Sequence, residues 1–504
     1  MMDFTALKSG TDIRGRTMGT DAALSNETAR LIGAAYVQWL KQQGPVTTIA
    51  IGRDSRLTGE ALLRACAEGI AAAGVHVLDF GMCTTPAMYK CLTGDSPIAD
   101  ASIMVTASHH PSDRNGFKFF KPGGGITSKD LDGIISLMGF SDGNTTEPAT
   151  IKTYDYLSVY QQELIKLVQE KLDDPVPRPL LGLHVVVDAG NGAGGFYAKL
   201  LESMGAWTEG SQFLEPDGNF PNHVPNPEDE AAVQSLSRAV VEHEADLGVI
   251  FDTDCDRAAI VDGNGLAINR NRLIALVSAM LLNQEPGLTI VTDSVTSSGL
   301  SKFIGEWGGE HYRYKRGYRN VIDEAIRLNE AGINTPLAIE TSGHAALREN
   351  DFLDDGMYLS TLLICEAMRL KREGKAISVL LEGLEEPVES LELRLPIVDE
   401  QFRNVGVRVI ESVMDHATEV PEWHIAPDNR EGVRINCSLA GGLNNAWFLL
   451  RLSVHDPVLP LNVESDVPGG IQEILQRLYP LLQAVPGIDV SSVRMVLDSR
   501  KEQK

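Results

Sequence analysis

Residues 46–81 read "VTTIAIGRDSRLTGEALLRACAEGIAAAGVHVLDFG", and their texture decides the fold class. A β-prone apolar run, "VTTIAIG", breaks into the polar loop "RDSR". Small and apolar residues then recur at helical spacing through "GEALLRACAEGIAAAG" and stop at Gly74. "VHVLDFG" is again β-prone. Strand, loop, helix and strand in this order predict a layered α/β architecture.

The same pattern restarts along the chain. A helical stretch near 155–171 is followed by the proline-rich "DDPVPRPLLG", which reads as a linker. "LHVVVDAGNGAGG" and "ADLGVIFDTDCDR" form a second unit, and "LTIVTDSVTSSGL" to "PLAIETSGHAALREN" a third. Past about residue 385, "SLELRLPI", "EGVRINCSL" and "NAWFLLRLSV" alternate as antiparallel strands do. The expected domains are 1–165, 166–266, 267–385 and 386–504: three α/β units with a C-terminal α+β unit. A chain of 504 residues suits roughly three or four cores.

Composition excludes several functions. The net charge of −25 repels nucleic acid, so no such partner is expected. The most apolar run, "RLIALVSAMLLNQ", is too short to cross a bilayer and reads as a buried helix, so no membrane partner is expected. The start, "MMDFTALKSGTDIRG", has no signal-peptide pattern. Cys66, Cys83, Cys91, Cys255, Cys365 and Cys437 show no metal-binding spacing, which fits reduced thiols in a cytoplasmic compartment, or in an organelle stroma after loss of a transit peptide.

Three loops carry chemistry, each at a strand end, where open α/β sheets bind ligands. "TASHHPSDRNGFKFF", residues 106–120, follows the apolar "ASIMV" and holds Ser108, His109 and Lys118, with Asn115-Gly116 as a hairpin-turn signal. Alone, this stretch does not separate a nucleophilic serine from a turn serine. "FDTDCDR" places Asp252, Asp254 and Asp256 on one face of an extended segment. Three such carboxylates call for a cation, and hard oxygen ligands suit Mg²⁺ or Mn²⁺. An EF-hand is excluded, because Arg257 and Gly263 stand where it needs Gly and Glu. "IETSGHAALREN" alternates Glu340, Ser342 and His344, a carboxylate, hydroxyl and imidazole suited to sugar hydroxyls.

Taken together, "SGTDIRG", "IGRDSR", "TASHHPSDRNGFK", "DAGNGAGG", "DGNFPNHVPNPE", "DTDCDR" and "ETSGH" resemble the α-D-phosphohexomutase family over nearly the whole chain. The resemblance implies four domains around a central cleft, the first three with mixed α/β topology. It implies Ser108 as the phosphorylated serine, with Asp252, Asp254, Asp256 and the phosphoserine oxygen holding one Mg²⁺. Arg14, Lys118 and Arg257 match the family's cations, and His109 adjoins the serine. Glu340, Ser342 and His344 would form the sugar loop, with Lys315 a further substrate contact. Either Lys118 or His344 could move the hydroxyl proton.

The implied reaction interconverts hexose 1-phosphate and 6-phosphate through a 1,6-bisphosphate, which also serves as activator. The expected partner is a phosphosugar, and the expected state a monomer or weak homodimer. Thr341 stands where glucose and mannose enzymes usually carry Met and glucosamine enzymes Gln; the expectation is glucose, then mannose, with phosphoglucosamine as alternative. A non-catalytic sugar-phosphate binder and a phosphatase are the rivals from other classes. The chain departs from its family at residues 451–457: Arg451 and Ser453 remain, but Val454 and His455 replace the usual Gly and Thr. Arg451, Ser453 and His455 are the expected phosphate contacts there.

Overall fold

A computed structural model describes residues 4–94, 96–139, 149–173, 177–399, 401–453 and 456–499. It divides into two compact units, one of residues 1–280 and 342–380, the other of residues 281–341 and 381–504.

The first unit contains two sheets that carry site loops. In the larger, the order runs Lys8–Ser9, Asp12–Arg16, Arg114–Lys121, Ala101–Val105, Thr48–Arg53, His76–Met82, Ile151–Thr153. Thr48–Arg53 lies parallel to both its neighbours, and the helix Gly59–Ala72, which the opening stretch predicts, makes the crossover to His76–Met82. That helix buries Leu62, Leu63, Cys66 and Ile70 on one stripe and ends before Gly74, whose φ of +81° suits a glycine. Fully burying each such aliphatic side chain is worth about 1.5–3 kcal/mol before chain entropy.

Ala101–Val105 is buried throughout and pairs antiparallel with Arg114–Lys121, Val105 opposite Phe117. The expected Asn115-Gly116 turn is therefore corrected: both residues lie inside the strand, paired with Gly15 and Arg14, and the reversal is the longer loop 106–113. Glycine is needed at 116 for close approach. A Cβ there would sit 2.3 Å from the Ile13 carbonyl oxygen and 2.8 Å from that of Thr106.

The second sheet runs Ala267–Ile268, Ala258–Asp262, Leu247–Phe251, Val185–Asp188. Leu247–Phe251 is wholly buried, parallel to Val185–Asp188 and antiparallel to Ala258–Asp262. The reversal between the antiparallel pair is residues 252–257, so the expected extended segment is corrected: the acidic trio sits in a tight turn, with Cys255 at a left-handed φ of +65°, and the turn rather than strand alternation crowds the carboxylates. The "RLIALVSAMLLNQ" run is the helix Arg270–Gln284.

In the second unit, Thr289–Thr292 pairs parallel with Glu310–Arg313 and Leu337–Ile339. Glu389–Pro396, Val458–Ser465, Ala446–Leu450, Val433–Cys437 and Trp423–Ile425 follow as one antiparallel sheet. Its core joins Leu395, Val409, Trp423, Phe448, Leu461 and Leu478 among others. The alternating exposure of Glu389–Pro396 is the pattern that "SLELRLP" announces. Among the described residues, no helix is long and apolar enough to cross a membrane. All six cysteines are buried and free.

Candidate active site

Loops 106–113 and 252–257 meet within the first unit. Ser108 is buried, with a left-handed φ of +51°. Its Oγ donates to Asp252 Oδ2 at 2.8 Å and accepts from Arg257 Nη2 at 3.0 Å. Arg257 also donates Nε to Asp252 Oδ2 at 3.1 Å and Nη1 to Asn226 Oδ1 at 3.2 Å. A hydroxyl between a carboxylate and a guanidinium is held for chemistry at oxygen.

His109 Nδ1 lies 3.3 Å from Ser108 Oγ and 2.7 Å from Arg257 Nη2. Burial, then the Arg257 charge, pushes its pKa down to about 2, so the ring is neutral and Nδ1 accepts from Arg257. Burial and Arg14 do the same to His110, at about 3. Arg14 itself donates Nη2 to Asp12 at 2.9 Å, and its field at both histidines places its charge beside the serine loop.

Asp252, Asp254 and Asp256 are buried, and their carboxylate oxygens lie within 4.8 Å of one another. Burial and the Asp256 charge raise the pKa of Asp252. For Asp256, burial works the other way from Lys118, and the ammonium wins, holding the carboxyl below its usual range. Lys118 donates to Asp256 and lies 3.0 Å from Asp254 Oδ2. Thr85 Oγ1 donates to that same Oδ2 at 2.6 Å. The remaining oxygens, Oδ1 of Asp254 and of Asp256, are buried with no hydrogen-bond partner. Two orphaned carboxylate oxygens beside a third carboxylate and a serine hydroxyl fit a small divalent ion with oxygen ligands.

His344 arrives beside this trio through a backbone bridge to Arg257. Its Nδ1 shares a 2.5 Å hydrogen bond with Asp354 Oδ2. Burial opposes its charge, but Asp354 and then Asp256 carry the pKa up to about 9, so the ring is a cation at neutral pH. Ser342 Oγ, in the same unit, is buried without a hydrogen-bond partner. Glu340 belongs to the second unit, where its Oε1 accepts from the Gly317 amide at 2.6 Å. Thr341, also there, donates to Asp293 at 2.7 Å.

Lys315 is exposed in the loop before the helix Tyr318–Glu330. Arg451 is buried, its Nη1 3.9 Å from Glu431 Oε1 and its Nε unpartnered. Ser453 Oγ accepts from the Asp456 amide at 3.3 Å. Val454 and His455 lie outside the described residues.

The sequence patterns left several contributors unassigned. Thr85, Asn226 and Asp354 each touch a site residue, and Arg56 holds the serine loop. Their partners lie 10 to 169 positions away along the chain, so no spacing marks them.

A buried hydroxyl, an acidic trio and an array of cations at the ends of α/β strands suit phosphoryl transfer at a serine oxygen, and the relatives give the class: an intramolecular phosphotransferase, an enzyme of the isomerase class. The comparisons agree. Family models described as phosphoglucomutase/phosphomannomutase α/β/α domains I, II and III match residues 6–139, 160–265 and 269–388. A phosphoglucomutase of Neisseria gonorrhoeae is 30% identical over 485 residues, spanning 94% of this chain and 96% of its own length. A phosphomannomutase/phosphoglucomutase of Pseudomonas putida is 31% identical over 490 residues, with 94% and 96% covered. The crystal structure of a phosphoglucomutase/phosphomannomutase family protein from Burkholderia thailandensis superposes with a TM-score of 0.77 at 29% identity, covering 96% of this chain and 99% of that one. This chain belongs to the α-D-phosphohexomutase family.

Proposed function

We propose that this chain interconverts hexose 1-phosphate and hexose 6-phosphate, with glucose the favoured sugar and mannose next, and that Ser108 carries the phosphoryl group. The observation that supports this best is the Ser108 hydroxyl bracketed by Asp252 and Arg257 at 2.8 and 3.0 Å. The names of the relatives support the two sugars.

Phosphoryl transfer depends on positioning and on neutralising charge over the equatorial oxygens. Arg257 and Lys118 supply positive charge on either side of the acidic trio, and Arg14 adds a third cation at the serine loop. His344, charged through Asp354, is a donor for a sugar or phosphate oxygen. Asp252, Asp254 and Asp256 would hold Mg²⁺, which supplies Lewis-acid stabilisation when bound. In the transfer, the Ser108 Oγ–phosphorus bond breaks and a bond from phosphorus to the sugar hydroxyl oxygen forms. Lys118 or His344 gives its proton to the departing Ser108 Oγ and takes the sugar hydroxyl proton in its place. The 1,6-bisphosphate so made returns its other phosphoryl group to Ser108, and added bisphosphate recharges the serine as activator.

On this reading Glu340, Ser342 and His344 bind sugar hydroxyls, Lys315 is a further substrate contact, and Arg451, Ser453 and His455 grip the non-reacting phosphate. The four domains are residues 1–165, 166–266, 267–385 and 386–504, and the chain works as a monomer or weak homodimer. The free buried cysteines support a reducing, cytoplasmic setting.

The test is an assay with glucose, mannose and glucosamine 1-phosphates side by side, with intact-mass measurement of phosphate on Ser108. Turnover of glucose and mannose 1-phosphates by a phosphorylated protein is expected, with loss of nearly all activity in Ser108→Ala when no bisphosphate is added. Turnover in Ser108→Ala within about tenfold of the wild type, roughly the effect of 1.4 kcal/mol, overturns the carrier assignment.

A further inference from the structure

One side chain outside the reacting set holds the whole serine loop. Arg56, in "GRDSR", is 1% exposed. Its Nη2 donates to the carbonyls of Ser108 at 2.5 Å and His110 at 2.6 Å. Its Nη1 donates to those of Pro111 and Arg114, both at 2.8 Å. Four carbonyls of one reversal, from its first turn to the start of the returning strand, converge on a single guanidinium.

The guanidinium is fixed in turn. Asp54, fully buried, lies 3.3 Å from Arg56 Nε and accepts the Arg56 amide at 2.9 Å. The other interaction of that carboxylate runs back to the loop: Thr106 Oγ1 donates to Asp54 Oδ2 at 2.7 Å, and accepts the Ser108 amide at 2.8 Å. Phe220 stacks on the guanidinium at 5.2 Å. Gly218 lets that segment in, since a Cβ there would sit 2.4 Å from the Leu57 nitrogen and 2.8 Å from Arg56 Cα. The "DGNF" segment thereby packs against Arg56 and its neighbours.

Ser108 has a left-handed φ of +51°, and non-glycine residues persist there only where their surroundings over-determine them. Both sides of its backbone are tied, the amide through Thr106 and Asp54, the carbonyl directly to Arg56. We propose that Arg56, with Asp54 and Thr106, is the positioning device that presents Ser108 Oγ to the incoming phosphoryl group. This rests on Ser108 being the carrier. Arg56 touches no reacting atom; it acts by keeping the loop's one productive shape. Lysine cannot replace it, because a single ammonium cannot span four carbonyls as a planar fork does.

The experiment compares Arg56→Lys, Thr106→Val and Thr106→Ser with wild type. It measures kcat, KM, cooperative melting, and the rate at which glucose 1,6-bisphosphate phosphorylates Ser108, followed by intact mass. Misplacing a reacting group by an ångström costs about 100-fold. Arg56→Lys and Thr106→Val are expected to lower kcat and the Ser108 phosphorylation rate together by about that factor, with KM near wild type, and Thr106→Ser to restore both. Wild-type phosphorylation of Ser108 in folded Arg56→Lys overturns the inference. So does an unfolded Arg56→Lys beside a Thr106→Val with wild-type kinetics, which makes Arg56 a fold-stabilising residue only. Sustained turnover in Ser108→Ala instead overturns the carrier reading beneath it.

Discussion

The hydroxyl of Thr85 donates to Asp254 Oδ2 at 2.6 Å, and the Thr85 amide donates to the Asp254 carbonyl at 2.9 Å. Both contacts fix the middle carboxylate of the trio and leave its Oδ1 unpartnered. Thr85 thus aims Asp254 from a helix 169 positions away along the chain. Outer partners of this kind tune metal affinity by about 10- to 100-fold. Thr85→Val should weaken Mg²⁺ binding in a calorimetric titration by a factor in that range, while Thr85→Ser, which keeps the hydroxyl, should leave it intact. Unchanged affinity in Thr85→Val would show that the backbone contact alone suffices.

Gly116 is a close-approach position. Gly116→Ala puts a methyl against the carbonyl oxygens of Ile13 and Thr106. Overpacking of this sort costs about 1–3 kcal/mol, and here it pushes on the serine loop as well. A lower unfolding midpoint and slower Ser108 phosphorylation are both expected. Denaturant titration with no loss of stability would contradict the packing.

His223 gives stability a pH dependence. Its Nδ1 faces the Val224 carbonyl at 2.8 Å and its Nε2 faces both oxygens of Asp188, at 3.1 and 3.0 Å. With acceptors at both nitrogens, the imidazolium is the form that satisfies the site. Burial opposes the charge, but the Asp188 hydrogen bond and charge, with Asp229 behind, raise the pKa. A raised histidine stabilises fully below its unfolded pKa of about 6.5, and the contribution is lost as pH rises through the folded value. Unfolding free energies measured from about pH 6 upward should fall more steeply for wild type than for His223→Gln. Parallel profiles would rule out this linkage.

Arg451 tests whether the C-terminal sheet grips phosphate. Its guanidinium is buried beside Glu431, with Nε unpartnered. Truncating one member of a buried charge pair costs about 2–4 kcal/mol, so Arg451→Ala should raise KM far more than it lowers the phosphate content of Ser108. If kcat/KM is unchanged, the loop does not bind the substrate's phosphate and the non-catalytic binder gains ground.

Local order determined much of this molecule. Strand–loop–helix–strand texture in residues 46–81 reports its own periodicity, and the structure returns those elements, with the two strands paired parallel. The close spacing of Asp252, Asp254 and Asp256 announces crowded carboxylates, but by alternation along an extended segment; the structure crowds them in the turn 252–257 instead. The Asn115-Gly116 signal misled because the same dipeptide serves a tight turn or a crowded strand. The pairing with Arg14 and Gly15 and the carbonyl of Ile13, remote along the chain, decide which. The clamp of Arg56 on the serine loop, the Thr85 brace on Asp254 and the Asp354 partner that charges His344 were likewise decided in three dimensions. Hydrogen bonds and buried ion pairs join whatever groups the chain brings within about 3 Å, and a linear sequence carries no record of that distance.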